Sequence, residues 1–275
     1  MDRAGTERGD ACMSEELLIR VEQGVAVLTM NRPDALNALT PGMGQAMQDA
    51  MLRYGADPEV GCIVLTGAGR AFCAGGDVKA MASGAKNVGT FEEKADNLRS
   101  RMNLVRLIHE GPKPVIAMVN GVAAGAGLSL ALACDLRVAG ASARMTTAFA
   151  KVGLSGDFGG TWFLNRLVGP ARARELYFTA EMLDAARIEA LGLANRVVPD
   201  EALEAETLAL ARRIAAGPRV ALRYMKQNAR IAEQGRLADL LDAEALHMTR
   251  CRDTEDHREA AKAFVEKRAP VFRGR

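Results

Sequence analysis

Two glycine-rich turns in this chain have the composition needed to present main-chain N–H groups to a ligand oxygen. The first, Gly125 to Gly127, follows the apolar run 114–119 and precedes a run of leucine and alanine. This pattern predicts a strand, a turn and a buried helix, whose first N–H groups have no acceptor within the helix. The helix dipole adds partial positive charge there, and the small side chains let a ligand oxygen approach.

A second turn, Gly67 to Asp77, follows another apolar run, Val60 to Thr66. Two such turns can direct two N–H donors at one point, which makes an oxyanion hole for acyl-transfer or enolate chemistry. Taken alone, the turn at Gly125 to Gly127 is better explained by close packing of a helix start on small residues, with no ligand. A dinucleotide site is excluded because the G-x-G-x-x-G spacing fails at Leu130.

Five segments follow one another along the chain: Asn31–Leu39, Ala71–Asp77, Asn120–Gly127, Gly159–Trp162 and Phe264–Arg268. Together they resemble the signature segments of the enoyl-CoA hydratase/isomerase (crotonase) superfamily, and the resemblance covers roughly residues 16–268. The run 149–169 is most similar to the branch of ring-opening (1,2-epoxyphenylacetyl-CoA-type) isomerases, with the dienoyl-CoA isomerases beside it.

The resemblance implies an α/β fold, a crotonase-like spiral of repeated ββα units with a C-terminal helical domain. Apolar runs that alternate with helical patterns also indicate an α/β core. We expect residues 1–13 to be a disordered leader or a cloning remnant, 14–198 the core, and 199–275 a helical oligomerisation domain. The superfamily implies a homo-oligomer, either a trimer or a dimer of trimers.

Local patterns predict individual elements within this fold. Thr40-Pro41 is a typical N-cap followed by proline in the first helical turn. The range 91–110 is predicted to be one amphipathic helix, with Leu98, Met102, Val105 and Ile108 on one face. Strands are predicted at 25–30, 60–66, 114–119, 135–139 and 195–198, and helices from residue 200 onward.

The resemblance assigns the oxyanion-hole donors to the main-chain N–H groups of Gly76 and Ala126, and the catalytic acid to Asp157. The two glutamates that hydratases use correspond here to Ser129 and Phe149. Neither residue is a carboxylate, so an isomerase that moves a proton through Asp157 is favoured over a hydratase. Ser129 is interpreted as a small residue packed in a helix.

Other interpretations of Asp157 stay open. From spacing alone, an aspartate that stabilises the loop or caps the following helix is favoured, and only the resemblance reverses this preference. The alternative functions are an enoyl-CoA hydratase, an acyl-CoA hydrolase or dehalogenase with Asp157 as nucleophile, and a non-catalytic CoA-binding oligomer.

The resemblance also suggests residues that contact an acyl-CoA substrate. Lys267 matches a lysine that reaches the nucleotide of a neighbouring subunit, and Arg32 is a weaker candidate for CoA binding. A solvated lysine on a basic tail explains Lys267 equally well. Trp162 is better explained as a core residue, although it belongs to the candidate pocket wall. That wall comprises Ala80, Met81, Leu98, Met102, Phe149 and Trp162.

Composition excludes several function classes. The 275 residues carry a net charge of only +2, without the basic stripe of a nucleic-acid-binding protein. The three histidines are far apart and the five cysteines form no C-x-x-C pair, which argues against a metal site and against disulfides. No apolar run approaches the about 20 residues of a membrane span. We therefore expect a cytoplasmic protein with no nucleic-acid or membrane partner and no cofactor beyond the coenzyme A of its substrate.

Overall fold

The computed structural model describes residues 15–77 and 88–275, whose backbone forms two sheets surrounded by helices. The strands in these ranges are β1 (Leu17–Glu22), β2 (Val25–Met30), β3 (Cys62–Gly67), β4 (Ala71–Cys73), β5 (Val115–Val119), β6 (Val122–Ala124), β7 (Leu136–Gly140), β8 (Arg144–Thr146) and β9 (Arg196–Val198).

The larger sheet has the strand order β1-β2-β3-β5-β7-β9, and the smaller has the order β4-β6-β8. Only the β1–β2 pair of the larger sheet is antiparallel. Each of β3, β5 and β7 is followed directly by a strand of the smaller sheet, so the chain winds between the two sheets. The α/β spiral of strand pairs and helices implied by the resemblance is confirmed, although β1 and the three short strands β4, β6 and β8 were not predicted individually.

The α-helices of the described residues are α1 (Pro41–Ala56), α2 (Phe91–Arg101), α3 (Asn103–Glu110), α4 (Ala126–Ala133), α5 (Gly160–Val168), α6 (Pro170–Thr179), α7 (Ala185–Ala190), α8 (Leu203–Ala215), α9 (Arg219–Gln234), α10 (Leu237–Arg252) and α11 (Glu255–Val265). Across this part of the chain, no helix combines the length and the apolar character that crossing a membrane requires.

The central strands β2, β3 and β5 of the larger sheet are buried on both faces, which explains why they are apolar runs rather than alternating patterns. In β2, Ala26, Leu28 and Met30 point into the main core. Val25 and Val27 point to the opposite face, where α8 covers the sheet with apolar residues such as Leu208. The predicted division near residues 198–200 stays a prediction, but it would separate α8 from the sheet that it covers.

Helix α1 begins as predicted, because the Thr40 hydroxyl accepts the Met43 N–H at 3.0 Å. The prediction of a single helix over 91–110 was wrong, since the helix breaks at Met102 into α2 and α3. Val105 and Ile108 are buried, whereas Leu98 and Met102 are only partly covered. The break lets α3 pack on α1 and α4 while α2 stays at the surface.

A buried lysine joins the C-terminal helices to the core. Lys226 in α9 donates to the carbonyl oxygens of Ile108 and Lys113 at 2.8 and 2.9 Å, and to Asp135 Oδ2 at 2.8 Å. The same carboxylate accepts the Val115 N–H at 2.7 Å, which gives Asp135 a structural role. The three acceptors compensate the desolvation of a side chain that is only 9% exposed.

Replacing Lys226 with methionine should lower the free energy of unfolding by about 3 kcal/mol, because it leaves the carboxylate and two carbonyls without their donor. Urea denaturation followed by circular dichroism measures this loss. The matched control is Lys262→Met, which removes an exposed pair with Glu266 at 3.8 Å and should change stability by less than about 0.5 kcal/mol. Equal losses in the two variants would contradict this role of Lys226.

Candidate active site

The two glycine turns identified in the sequence meet in the structure. Gly75, after β4, has φ +88°, and a Cβ placed on it would lie 2.6 Å from the Ala124 carbonyl oxygen and 3.2 Å from the Ala126 nitrogen. Contacts this short leave no room for a side chain. The loop that carries Gly76 is therefore held directly against the start of α4.

Gly76 follows Gly75 directly and Ala126 begins α4, so both main-chain N–H groups lie close to this contact. Ala126 is the first residue of α4, so its N–H has no acceptor within the helix. Within the described ranges neither N–H donates a hydrogen bond to another protein atom. The helix is buried along its whole length, which strengthens the field at its start. The arrangement can stabilise a negatively charged oxygen.

Asp157 lies on the loop between Phe149–Val152 and α5. Its Oδ1 atom is buried and has no hydrogen-bond partner among the residues that the structure describes. Burial raises the pKa of Asp157 to about 6, and the positive charge of Arg101 opposes part of that rise. A carboxyl group with such a pKa can both accept and return a proton near neutral pH.

Two hydroxyl groups surround the segment after Asp157. The Ser129 hydroxyl in α4 donates to the main-chain carbonyl of Asp157 at 3.1 Å. A Cβ placed on Gly160 would lie 2.3 Å from Ser129 Oγ and 2.8 Å from the Tyr177 hydroxyl oxygen. The turn therefore passes between the two hydroxyls, and a side chain at position 160 would force Ser129 and Tyr177 to move.

Sequence reasoning missed Tyr177, which lies in α6. Burial raises the pKa of its phenol, a hydrogen bond with Thr161 lowers it, and the nearby Asp157 charge raises it further. The phenol therefore stays protonated beside the acid. The only signal in the sequence was that Tyr177 is one of three tyrosines in a chain poor in aromatic residues.

The candidate pocket residues are only partly assembled near Asp157. Phe149 is buried and stacks on Tyr177, with ring centroids 6.1 Å apart and planes 5° apart. Leu98 and Met102 are partly covered. Ala80 and Met81 lie outside the described residues.

Trp162 belongs to an aromatic cluster beside the site. His109 stands edge-on to Trp162 and to Phe163, with centroids 5.1 and 5.3 Å apart. The Arg166 guanidinium lies over the Trp162 ring at 3.6 Å. Burial lowers the pKa of His109, although Glu233 opposes the shift, so the imidazole is neutral near pH 7. These contacts explain Trp162 as a packing residue.

Among the contacts of the described residues, none joins the two candidate CoA-binding residues, Arg32 and Lys267, to Asp157 or to the aromatic residues beside it. Arg32 pairs with Glu16 at 3.3 Å and with Asp77 at 3.3 Å, and it donates to the Ala38 carbonyl at 2.7 Å. These contacts tie the early loops together and give Arg32 a structural role. Lys267 is exposed just after α11. Binding of CoA by either residue stays a prediction.

A winding α/β fold, one free N–H at the start of α4, a second on the neighbouring loop after β4, and a buried carboxyl group are suited to chemistry in which a carbonyl oxygen gains negative charge. The chain matches the family model described as enoyl-CoA hydratase/isomerase over residues 20–275, and it belongs to that family, the crotonase superfamily.

Known relatives have mixed activities. The chain is 39% identical over 267 residues to 1,2-epoxyphenylacetyl-CoA isomerase of Escherichia coli strain K12, covering 96% of this chain and 100% of that protein. It is 36% identical over 259 residues to crotonyl-CoA hydratase of Syntrophomonas wolfei, covering 94% and 98%. The crystal structure of an enoyl-CoA hydratase from Polaromonas sp. JS666 matches with a TM-score of 0.88 and 35% identity, covering 93% of this chain and 99% of that one.

Proposed function

We propose that this protein is an acyl-CoA isomerase that moves a proton, and with it a double bond, along a thioester-bound acyl chain. The observation that carries the proposal is the Asp157 carboxyl group, which has a buried oxygen without a partner and a pKa raised to about 6. Such a group accepts a proton from carbon and keeps it long enough to return it.

The reaction needs one carboxyl group and one oxyanion hole. Ionised Asp157 takes a proton from the α or γ carbon, and the electron pair of that C–H bond moves into conjugation with the thioester carbonyl. The N–H groups of Gly76 and Ala126 stabilise the resulting oxyanion more than the neutral carbonyl, which lowers the barrier. Asp157 then returns the proton to the other carbon, so the product has the mass of the substrate.

A hydratase is a weaker interpretation, because holding and splitting water in this superfamily uses two glutamates. Ser129 and Phe149 occupy the corresponding positions here. Among the described residues, Arg101 is the one charged side chain that shifts the pKa of Asp157. No neighbouring carboxylate therefore supports the two-carboxylate chemistry, although the similarity to a crotonyl-CoA hydratase keeps hydration as the second candidate.

The known relatives and the exposed surface also support proposals about the acyl group of the substrate and about the oligomeric state. The similarity to an isomerase of 1,2-epoxyphenylacetyl-CoA favours an aromatic or otherwise bulky acyl group. A homotrimer or a dimer of trimers is supported by large apolar side chains exposed on the C-terminal helices, including Leu246 in α10 at 69% and Phe264 in α11 at 86%. Lys267 lies beside Phe264 and remains our candidate for the neighbouring subunit's CoA.

The test is incubation of the enzyme in deuterated water with 2-enoyl, 3-enoyl and aromatic-ring CoA thioesters, followed by mass spectrometry. We expect deuterium at the α or γ carbon and a shifted double bond in at least one thioester. Product heavier by one water would instead establish the hydratase. Release of free CoA would establish a hydrolase, and CoA binding without any conversion would establish a non-catalytic protein.

A further inference from the structure

Ser129 connects the two halves of the candidate site. It lies in the first turn of α4, the helix that begins with the oxyanion donor Ala126, and it is 1% exposed. Its hydroxyl lies 3.1 Å from the main-chain oxygen of Asp157 and 3.3 Å from that of Gly125. One side chain thus touches the residue before the oxyanion donor and the residue that carries the acid.

The Ser129 hydroxyl can donate only one hydrogen bond, and the distances favour the Asp157 carbonyl as its acceptor. The Gly125 carbonyl already accepts the Ser129 N–H at 3.0 Å as an ordinary helical hydrogen bond. The Asp157 carbonyl is the closer of the two hydroxyl acceptors. In most helices a buried serine bonds back to its own helix, so a bond to a loop 28 residues away in sequence is a specific tertiary contact.

Packing on the far side holds the loop against this hydroxyl. Gly160 leaves no space for a side chain between Ser129 and Tyr177. Tyr177 is supported in turn by Phe149, whose ring would lie 3.6 Å from a Cβ placed on Gly125. The acid loop is therefore clamped between the oxyanion helix and an aromatic stack.

We propose that Ser129 is a positioning residue, whose hydroxyl fixes the distance between the oxyanion hole and the Asp157 carboxyl group. The inference rests on the proposed function, since it assumes that Asp157 transfers the proton. A carboxylate must lie within hydrogen-bond reach of the carbon-bound proton while the thioester oxygen stays between its two donors. Ser129 would fix this distance through its hydrogen bond to the Asp157 carbonyl, without acting as a base itself.

The test compares wild type, Ser129→Ala and Ser129→Cys for deuterium exchange across a pH series. Loss of the hydroxyl misplaces the Asp157 carboxyl group and should lower kcat about 10-fold, which corresponds to the energy of one hydrogen bond, while KM changes little. A looser loop admits water to Asp157, so the midpoint of the pH profile should move below about 6. The other ionisable groups facing Asp157, Arg101 and Tyr177, are unchanged in these variants. The weakly donating thiol of Ser129→Cys should give an intermediate kcat.

The matched control is Thr207→Val in α8, on the opposite face of the larger sheet. The Thr207 hydroxyl is buried and donates to the Leu203 carbonyl at 2.7 Å. Its loss should change stability but neither kcat nor the pH midpoint. Wild-type kcat and midpoint in Ser129→Ala would overturn the positioning role while leaving the proposed function intact. Absence of exchange in the wild type would overturn the proposed function itself, and the positioning role with it.

Discussion

Replacement of Asp157 by asparagine should lower the rate of deuterium exchange by about 10²- to 10⁴-fold, the usual contribution of a general acid–base group. Asparagine has nearly the same shape but cannot accept the proton. Exchange into an accepted acyl-CoA thioester, followed by mass spectrometry, measures the loss. The control is Asp184→Asn, at an exposed N-cap that accepts the Arg187 N–H at 2.9 Å. Asparagine is an equally good cap, so this variant should match wild type.

The same carboxyl group predicts opposite effects of pH on activity and on stability. Only ionised Asp157 can accept a proton, so kcat/KM should rise with pH through a midpoint near 6. Burial raises the folded-state pKa above the unfolded one, so ionisation of Asp157 weakens the fold. The protonated Asp157 carboxyl group contributes its full share to the free energy of unfolding below the unfolded-state pKa of about 4. This share is lost as the pH rises through the folded-state pKa.

Asp157→Asn should therefore be more stable than wild type at pH 7.5, by on the order of 1 kcal/mol once solvent screening is allowed for. The gain should disappear between pH 6 and pH 4. Urea denaturation at several pH values measures it. Exchange within a few fold of wild type in Asp157→Asn would remove Asp157 from the mechanism, and a pH-independent stability difference would contradict its buried state.

Most of the long elements of this fold were predictable, because local chemistry and tertiary structure favour the same conformation; the edge strand β1 was not predicted. The strand at 25–30 is apolar except for Thr29, since both faces of the sheet are covered there, and Thr40 caps α1 as its sequence context predicts. The strands β4, β6 and β8 have three residues each, too few to show a period. They pair with one another because each directly follows one of the neighbouring strands β3, β5 and β7 of the larger sheet. This arrangement cannot be predicted from the local sequence.

The helix break at Met102 has a similar origin. The apolar residues continue through 91–110 at helical spacing, but α2 is exposed and only α3 is buried. The packing partners of α3, namely α1 and α4, are distant in sequence. The periodicity could therefore predict helix but not the interruption at Met102.

The residues of the candidate site also differ in whether the local sequence could point to them. Turn chemistry singled out the segments of Gly76 and Ala126, whereas Asp157 was selected by the resemblance alone, and the catalytic roles of all three stay predictions. The roles of Ser129 and Tyr177 could not be predicted in this way, since they depend on contacts around Gly160 that join α4, α5 and α6. Serine in a helix of leucine and alanine is ordinary packing by every local criterion. Only its hydrogen bond to the Asp157 carbonyl, which is a tertiary contact, suggests that Ser129 positions the acid.

Ala126→Pro should remove one oxyanion donor while leaving α4 in place. Ala126 is the first residue of that helix, where proline is tolerated because the N–H has no helical acceptor. Gly125, with φ 53° and ψ −124°, lies outside the α region that proline disfavours in the preceding residue. Pro41 and Pro170 already occupy the first turns of α1 and α6 in this chain.

The expected result is a loss of kcat of about 10²- to 10³-fold, the cost of one donor that acts mainly on the charged transition state. The matched control is Ala185→Pro, at the first position of α7 after the Asp184 cap. It introduces the same residue at the same helical position but should leave kcat unchanged. Circular dichroism on both variants separates loss of the donor from loss of the fold. A folded Ala126→Pro enzyme with wild-type kcat would mean that the thioester oxygen is held elsewhere, since no other atom of Ala126 can replace its N–H.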